Sequence, residues 1–313
     1  MSESNETRRG GWSVVDVPMT TSLHDVATAA TGPVAAGNAG TVVARSADGA
    51  WNVLVENGPG ASGETLYAVA STADGERIWF AGTNGALGAY EVGEGRRRDH
   101  SEPDGVTDSL SSLAVAGPRG SEKLLLADDN GAVYTAEATG TSLDWGREFR
   151  PAGDTALTDL AASPDGVGYA VDGEANVWQT TPDDGWEAIG VDAAENSLYA
   201  VVAGENRLLA GGGNGRVYLS SDGGGSWTPY SLGSFTVKTL DVAGGRALAA
   251  GSNGRLVTRS DDWETNDWDG SKTVNGVRLG DVDVAVCNDG VVLERSASSE
   301  GTQPASSGTT DEG

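Results

Sequence analysis

The sequence is short of the residues that most often perform chemistry in proteins. Its 313 residues contain one cysteine, Cys287, and two histidines, His24 and His100. A single thiol excludes an internal disulfide and a thiol-based metal cluster, and two histidines are too few for a histidine zinc site. The G-x-S-x-G turn of many serine hydrolases is missing as well. We therefore expect no resident metal or cofactor and assign no catalytic residue.

Lysine is scarce, whereas carboxylates are abundant. The chain has 46 acidic and 20 basic residues, and Lys123, Lys238 and Lys272 are its lysines, so the formal charge is −26. Self-repulsion of this size is screened at about 1 M salt, where the Debye length falls to roughly 3 Å. The acidic, lysine-poor composition resembles that of haloarchaeal cytoplasmic proteins and implies a halophilic, cytoplasmic protein. It also disfavours general nucleic-acid binding, because contacts with a phosphate backbone require Lys and Arg.

Long apolar runs are absent too. Arg8 and Arg9 are followed by no apolar stretch, so the sequence predicts neither a secretory nor a twin-arginine signal. No run approaches the length of a membrane span. The segment 297–313 is acidic, Ser-rich and of low complexity, and we expect it, like residues 1–10, to be disordered.

Glycine, by contrast, is plentiful and occurs in a regular pattern. Aromatic residues make up 6% of the chain and glycine reaches 47 residues, a composition that favours short strands connected by tight turns. The clearest unit, Leu198–Gly233, contains four strand-like segments, two of them joined by Asn214-Gly215. Asn-Gly between apolar runs is a strong hairpin signal, because both turn positions take positive φ.

This unit occurs seven times. The copies begin at Leu23, Leu66, Leu110, Leu157, Leu198, Val237 and Val274, at intervals of 37 to 47 residues. Four-stranded propeller blades repeat every 40–45 residues or so. The seventh copy ends at Ser296 without an outer strand, and residues 11–18 resemble the outer strands of other copies. We therefore predict an all-β, seven-bladed β-propeller over residues 11–296, whose N-terminal strand completes the last blade and removes exposed sheet edges.

One turn carries a family motif. Residues Ser220, Asp222, Gly224 and Trp227 match the Asp-box S-x-D-x-G-x-S/T-W of BNR repeats. Shortened or degraded versions occur at residues 46–51, 181–186 and 259–263. The chain thus resembles the WD40/YVTN/BNR-like propellers, including the photosystem II stability/assembly factor group. The resemblance implies an assembly or interaction platform, and it implies that the box is a structural brace far from any active site.

Comparison of the copies identifies a variable position, the second residue of the innermost strand. It is occupied by His24, Tyr67, Ser111, Thr158, Tyr199, Lys238 and Asn275. A second variable position follows the turn between the second and third strands, and it is occupied by Arg216 and Arg255 in the fifth and sixth copies. In a propeller, both positions lie at the same rim of the central channel.

We therefore predict a cationic and aromatic pocket at this rim. Its members are Lys238, Arg216, Arg255, Tyr199, His24 and Tyr67. Such a pocket suits a carboxylate, a phosphate or an acidic peptide, because Arg presents a planar fork of donors. In the alternative interpretation, the arginines pair with acids such as Asp128, Asp129 or Asp241 and only hold neighbouring blades together.

Two classes of function follow from these features. The lack of catalytic clusters and the variable rim favour a non-catalytic interaction platform or ligand-binding propeller, expected to be monomeric, with a protein or a small anionic ligand as partner. The alternative is a sialidase-like or other glycoside hydrolase, because sialidases share the Asp-box. A sialidase requires three arginines around one carboxylate, whereas the rim offers Arg216 and Arg255, with Tyr199 beside them. General glycosidases require two facing carboxylates.

Overall fold

The computed structural model describes residues 11–183, 185–191, 194 and 196–296. The predicted disordered segments 1–10 and 297–313 lie outside these residues, as does Asp184 of the degraded box at 181–186. No helix within the described ranges has the length and apolar character needed to cross a membrane.

The described residues form seven four-stranded antiparallel sheets, as predicted. The strands are β1 (Ser13–Val15), β2 (Leu23–Ala29), β3 (Gly32–Gly37), β4 (Val42–Arg45), β5 (Trp51–Val55), β6 (Leu66–Ser71), β7 (Arg77–Gly82), β8 (Leu87–Glu91), β9 (Arg96–Asp99), β10 (Leu110–Ala116), β11 (Lys123–Asp128), β12 (Val133–Thr139), β13 (Ser142–Trp145), β14 (Leu157–Ala162), β15 (Gly168–Asp172), β16 (Val177–Thr180), β17 (Trp186–Ala188), β18 (Leu198–Ala203), β19 (Leu208–Gly212), β20 (Arg216–Ser220), β21 (Thr228–Ser231), β22 (Val237–Ala243), β23 (Arg246–Gly251), β24 (Leu256–Arg259), β25 (Trp263–Thr265), β26 (Val274–Arg278), β27 (Val282–Cys287) and β28 (Val292–Ser296). Blades 1 to 6 consist of β2–β5, β6–β9, β10–β13, β14–β17, β18–β21 and β22–β25, and blade 7 consists of β26, β27, β28 and β1.

The N-terminal strand closes the ring. In β1, Ser13 pairs with Glu294 of β28, and Val15 pairs with Val292. The side chain of Trp12 is 3% exposed and packs in an apolar cluster shared by blades 6 and 7. The predicted closure of blade 7 by the N-terminal segment is confirmed, and β1 covers the outer edge of β28.

Tight turns connect the second and third strands of most blades. In four blades this connection contains a short 3-10 turn, at Asn38–Gly40, Gly213–Gly215, Ser252–Gly254 and Asn288–Gly290, and a further 3-10 turn at Pro103–Gly105 lies between blades 2 and 3. In the blade 5 turn, Asn214 has φ 55° and Gly215 has φ 63°, as the Asn-Gly sequence predicts. The equivalent turn of blade 1 places Ala39 at φ 56°, a conformation that costs an alanine about 1–2 kcal/mol.

Apolar side chains fill the spaces between neighbouring sheets. Between blades 1 and 2, for example, Val34, Val55 and Phe80 are at most 4% exposed and belong to one cluster. Charged groups also contribute at the boundary of blades 2 and 3, where the buried guanidinium of Arg77 pairs with the carboxylates of Glu91 and Glu122. These contacts hold the innermost strands at fixed positions around the channel.

Candidate functional site

Each innermost strand contains a β-bulge near its start. In β2, Leu23 pairs with Gly37 and Asp25 pairs with Ala36, so His24 has no partner of its own, and the same irregularity recurs in the innermost strand of every other blade. The bulged residue is the variable second residue of each copy. A bulged side chain is released from the regular ladder, which explains why this position tolerates such different residues.

The seven bulged residues lie at one end of the channel, which we call the upper end. We call the set His24, Tyr67, Ser111, Thr158, Tyr199, Lys238 and Asn275 the upper ring. Some of its members contact the next blade: the Thr158 hydroxyl donates to the carbonyl oxygen of Leu198 (2.8 Å), and the Asn275 amide donates to that of Leu23 (2.8 Å). The rings of His24 and Tyr67 meet edge to face, with centroids 5.5 Å apart.

Three members of the upper ring are exposed and carry unused polar groups. The side chains of Tyr67 and Tyr199 are each 39% exposed, and Lys238 is exposed as well. Within the described residues, none of the three makes a side-chain hydrogen bond or an ion pair. By contrast, the ring of His24 is hydrogen-bonded to the Asn38 side chain at 2.7 Å. The upper ring contains no carboxylate, although the chain as a whole carries a formal charge of −26.

Arg216 and Lys238 lie at the boundary of blades 5 and 6. The Gly215 amide donates to the carbonyl oxygen of Phe235 (2.5 Å), and the Leu232 amide donates to that of Gly215 (2.8 Å). The turn that precedes Arg216 therefore packs on the segment that leads into Lys238. Arg216 is half-buried and has no ion pair with any residue that the structure describes. Two cations without a carboxylate partner thus lie on adjoining elements, and Tyr199 belongs to the same blade as Arg216.

Arg255 has a different environment. Its guanidinium pairs with the Asp267 carboxylate at 2.6 Å and lies 5.8 Å from the ring centroid of Phe235. The alternative interpretation, a structural ion pair, therefore describes Arg255, although its partner is Asp267 and not one of the three acids considered. Asp128 instead accepts hydrogen bonds from turn amides, and Asp241 pairs with Arg278.

The turn at Ser220–Trp227 is a self-contained hydrogen-bonded unit. The Asp222 carboxylate accepts from the hydroxyls of Ser226 and Ser220, both at 2.7 Å, and these bonds lower its pKa to about 2. The Trp227 indole N–H donates to the carbonyl oxygen of Ile189 in the preceding loop (3.5 Å). Because this turn connects the third and fourth strands, it lies at the end opposite the upper ring and braces blade 5.

A second feature of the channel lies below the upper ring. A cavity of about 940 Å³ extends from the third residues of the innermost strands to the turns at the other, lower end, and we call it the lower chamber. No upper-ring residue lines it. At the third and fifth strand positions its walls carry the ionisable groups of Asp25, Asp159, Asp241 and Arg278, and at its lower end it is also lined by Glu205, Arg207 and Arg246.

Two of these carboxylates connect neighbouring blades. Asp25 accepts a hydrogen bond from the Val69 amide of blade 2, and Asp159 accepts one from the Val201 amide of blade 5, both at 2.9 Å. The Ser112 hydroxyl of blade 3 also donates to Asp159, at 3.0 Å. Burial raises the pKa of Asp25 to about 6 and that of Asp159 to about 7, because desolvation disfavours the charged carboxylate.

Arg278 and Asp241 form an ion pair across the boundary of blades 6 and 7. Their nitrogen and oxygen atoms are 2.9 Å apart, and the Leu279 amide donates to the second Asp241 oxygen at 2.6 Å. The Asp241 carboxylate raises the pKa of Arg278 further. Asp241 and Arg278 are each the fifth residue of an innermost strand. Comparison of the copies at this position would have found the pair, because the other copies carry apolar residues there: Ala27, Ala70, Ala114, Ala161 and Val202.

Seven four-stranded sheets around one channel define the protein as a seven-bladed β-propeller. No family model and no curated protein matches the sequence. Among solved structures, the chain is similar to the RRP9 WD40 repeats (13% identity, TM-score 0.77, covering 93% of this chain and 99% of that one). It is also similar to YCF48 bound to a D1 peptide (16%, TM-score 0.73, 92% and 97%). A third similar structure is virginiamycin B lyase from Staphylococcus aureus (9%, TM-score 0.75, 91% and 99%). At these identities the similarity shows a shared fold.

Proposed function

We propose that the protein is a non-catalytic interaction platform that binds a protein partner at the upper end of its channel. The observation that carries this proposal is the exposure of Tyr67, Tyr199 and Lys238 at bulged positions, which have no partner in the strand pairing. Exposed aromatic and cationic side chains on a rigid scaffold are common anchors of protein interfaces. Large, rigid tyrosine rings lose little conformational entropy when they are covered by a partner.

The charges of this face favour an acidic partner. Lys238 and Arg216 lie on a molecule with a formal charge of −26, yet neither has an ion pair among the described residues. A carboxylate or phosphate of the partner would gain charge-assisted hydrogen bonds from both. Tyr199 and Tyr67 supply ring faces, and His24 positions Tyr67 through their edge-to-face contact. In this proposal Arg255 supports the site through Phe235 and does not contact the partner.

The known structures support a peptide or protein as the partner. One propeller of similar fold, YCF48, is bound to a D1 peptide. The acidic composition further supports our proposal of a monomer that acts in a high-salt cytoplasm. The Ser220–Trp227 geometry supports the relation to BNR repeats proposed from the motif.

The proposal is tested by affinity capture in molar KCl with a matched pair of variants. The double variant Arg216→Ala/Lys238→Ala removes the two proposed anion-binding groups. The control Arg96→Ala/Lys123→Ala removes two cations of other blades that also lack a described ion pair. We expect the wild type and the control to retain one specific partner and the first variant to lose it. Equal recovery by all three, or turnover of fluorogenic glycosides by the wild type, would contradict the proposal.

A further inference from the structure

The lower chamber carries opposite charges on nearly opposite walls. Arg278 belongs to blade 7 and Asp159 to blade 4, three positions away in a ring of seven. Asp241 and Asp25, from blades 6 and 1, flank Arg278 on either side, and both carboxylates contribute to its raised pKa. Asp159 is influenced by the carboxylate of Asp25. The chamber therefore presents one guanidinium and three carboxylates at the third and fifth strand positions.

Arg278 has donors to spare. One of its nitrogens donates to Asp241, and no other hydrogen bond from its guanidinium to a described residue is seen. A guanidinium carries five N–H donors. The side chain is 36% exposed although the propeller surrounds it, so its accessible surface faces the chamber. The remaining donors are available to a ligand within the cavity.

Asp159 has an acceptor site to spare and no counter-ion. One of its oxygens accepts from Ser112 and the Leu160 amide, and the other accepts from Val201. A carboxylate offers about four lone-pair sites, so the second oxygen retains one. None of the described ion pairs includes Asp159, and an enclosed carboxylate without a cation is unfavourable. A positively charged group placed in the chamber would relieve this cost.

The chamber has the size and the access that a small ligand needs. Ala70, Ala114 and Ala161 hold the fifth strand position on the wall opposite Arg278 and leave space there. A volume of about 940 Å³ lies within the range of ligand pockets. Thr28 and Asn206, at the lower end, are exposed. Entry is therefore from the lower end, away from the upper ring.

We propose that the lower chamber binds a small zwitterion, whose carboxylate pairs with Arg278 and whose ammonium group lies against Asp159. A simple anion is disfavoured because Asp241 and Asp25 flank the guanidinium, and a simple cation leaves the free donors of Arg278 unused. A molecule with both charges can accept hydrogen bonds from Arg278 and donate hydrogen bonds to Asp159. This inference is independent of the proposed partner site, because the upper-ring residues do not line the chamber.

The affinity of the zwitterion should depend on pH. Asp159 must be ionised to hold an ammonium group, and the groups that face it are Asp25 across the chamber and the uncharged Ser112 beside it. Affinity is expected to increase as the pH rises from 5 to 8, because burial raises the pKa of Asp159 to about 7. Asp25 also titrates in this interval, because burial raises its pKa to about 6, whereas Asp241 raises the pKa of Arg278, which stays protonated. The other charged residues that line the chamber are Asp241 beside Arg278 and Glu205, Arg207 and Arg246 at the lower end.

The test is isothermal titration of the full-length protein in molar KCl with ω-amino acids of increasing chain length, from glycine to 6-aminohexanoate. Butyrate and butylamine serve as single-charge probes. We expect one amino acid to bind at least about ten-fold more tightly than either single-charge probe, a difference of about 1.4 kcal/mol. Arg278→Gln and Asp159→Asn should each weaken this binding at least ten-fold, and Asp159→Asn should reduce its pH dependence, leaving the part that Asp25 contributes.

Two further variants keep the result interpretable. Thr28→Trp fills the lower entrance without changing a charge, and it should abolish binding while the melting temperature stays near that of the wild type. Lys238→Ala should leave zwitterion binding unchanged, since it belongs to the upper ring. The inference is overturned if no amino acid binds more tightly than butyrate and butylamine, or if binding persists in Arg278→Gln and in Thr28→Trp.

Discussion

The Asp159 carboxylate of blade 4 accepts a 2.9 Å hydrogen bond from the Val201 amide of blade 5. The Asp25 carboxylate accepts the equivalent hydrogen bond from the Val69 amide, so blades 1 and 2 are connected in the same way. Innermost strands of different blades are not paired with each other in the sheets. Side-chain carboxylates therefore supply polar contacts between blades at the channel wall.

Asp159→Ala should destabilise the propeller. The substitution leaves the Val201 amide without its acceptor, whereas the Leu160 amide keeps the Ser112 hydroxyl at 3.0 Å. An unsatisfied buried donor costs about 1–3 kcal/mol. We expect a loss of about 1–3 kcal/mol in the free energy of unfolding, measured by urea denaturation in high salt. Asp154→Ala, at an exposed position of the preceding loop, is the control. Equal urea midpoints for the two variants would show that the inter-blade bonds contribute little.

The same carboxylates make stability depend on pH in an unusual direction. Burial raises the pKa of Asp25 to about 6 and of Asp159 to about 7, above their ordinary value of 3.8. Between pH 4 and 7 the folded state therefore binds more protons than the unfolded state, and the contribution of these groups falls as pH rises. The contribution is fully present below pH 4 or so and is lost as the pH passes the folded-state values.

The measurement is urea unfolding of the wild type and of Asp25→Asn/Asp159→Asn at pH 5 and pH 7. Asparagine does not titrate, so the wild type should lose more stability than the double variant over this interval. The difference between the two proteins isolates the two carboxylates from all other ionisable groups. A difference that is the same at both pH values would contradict the raised pKa values.

Ala39→Asn should stabilise the protein. Ala39 is exposed and has φ 56° and ψ 32°, and Asn253 holds the same conformation in the equivalent turn of blade 6. Asparagine tolerates the left-handed region better than alanine. We expect a gain of about 0.5–1 kcal/mol, read from the thermal midpoint. The reciprocal change, Asn253→Ala, should lower stability, and Ala30→Asn, at an exposed turn residue without positive φ, should have little effect. A lower thermal midpoint for Ala39→Asn would contradict the argument.

Substitution of Arg255 should lower stability, whereas substitution of Arg216 should weaken partner binding and leave stability nearly unchanged. Arg255→Ala removes the ion pair with Asp267 and the contact with Phe235, so we expect a loss of about 1 kcal/mol in unfolding free energy. Arg216→Ala removes no described ion pair and should change stability by less than about 0.5 kcal/mol, while it weakens capture of the partner. Stability loss in Arg216→Ala equal to that in Arg255→Ala would assign both arginines a structural role.

The repeats explain which parts of the structure were predictable. The seven copies and their turn signals predicted the number of blades and the four strands of each. The missing outer strand of the last copy predicted the pairing of β1 with β28. Comparison at the second strand position also found the upper ring, because a bulged residue is free to vary. The ion pair of Arg255 with Asp267 was not predictable, because Asp267 lies in an irregular connection that has no equivalent in the other copies. The lower chamber was missed because the third and fifth strand positions were not compared.

The upper-ring proposal is tested most directly by photo-crosslinking in molar KCl. A benzophenone amino acid replaces Tyr199 in one protein and Asn206, an exposed residue at the lower end, in a control. We predict that position 199 captures one protein partner through a segment rich in Asp or Glu, and that position 206 does not. Capture of that partner at position 206 alone, or equally at both positions, would contradict binding at the upper end.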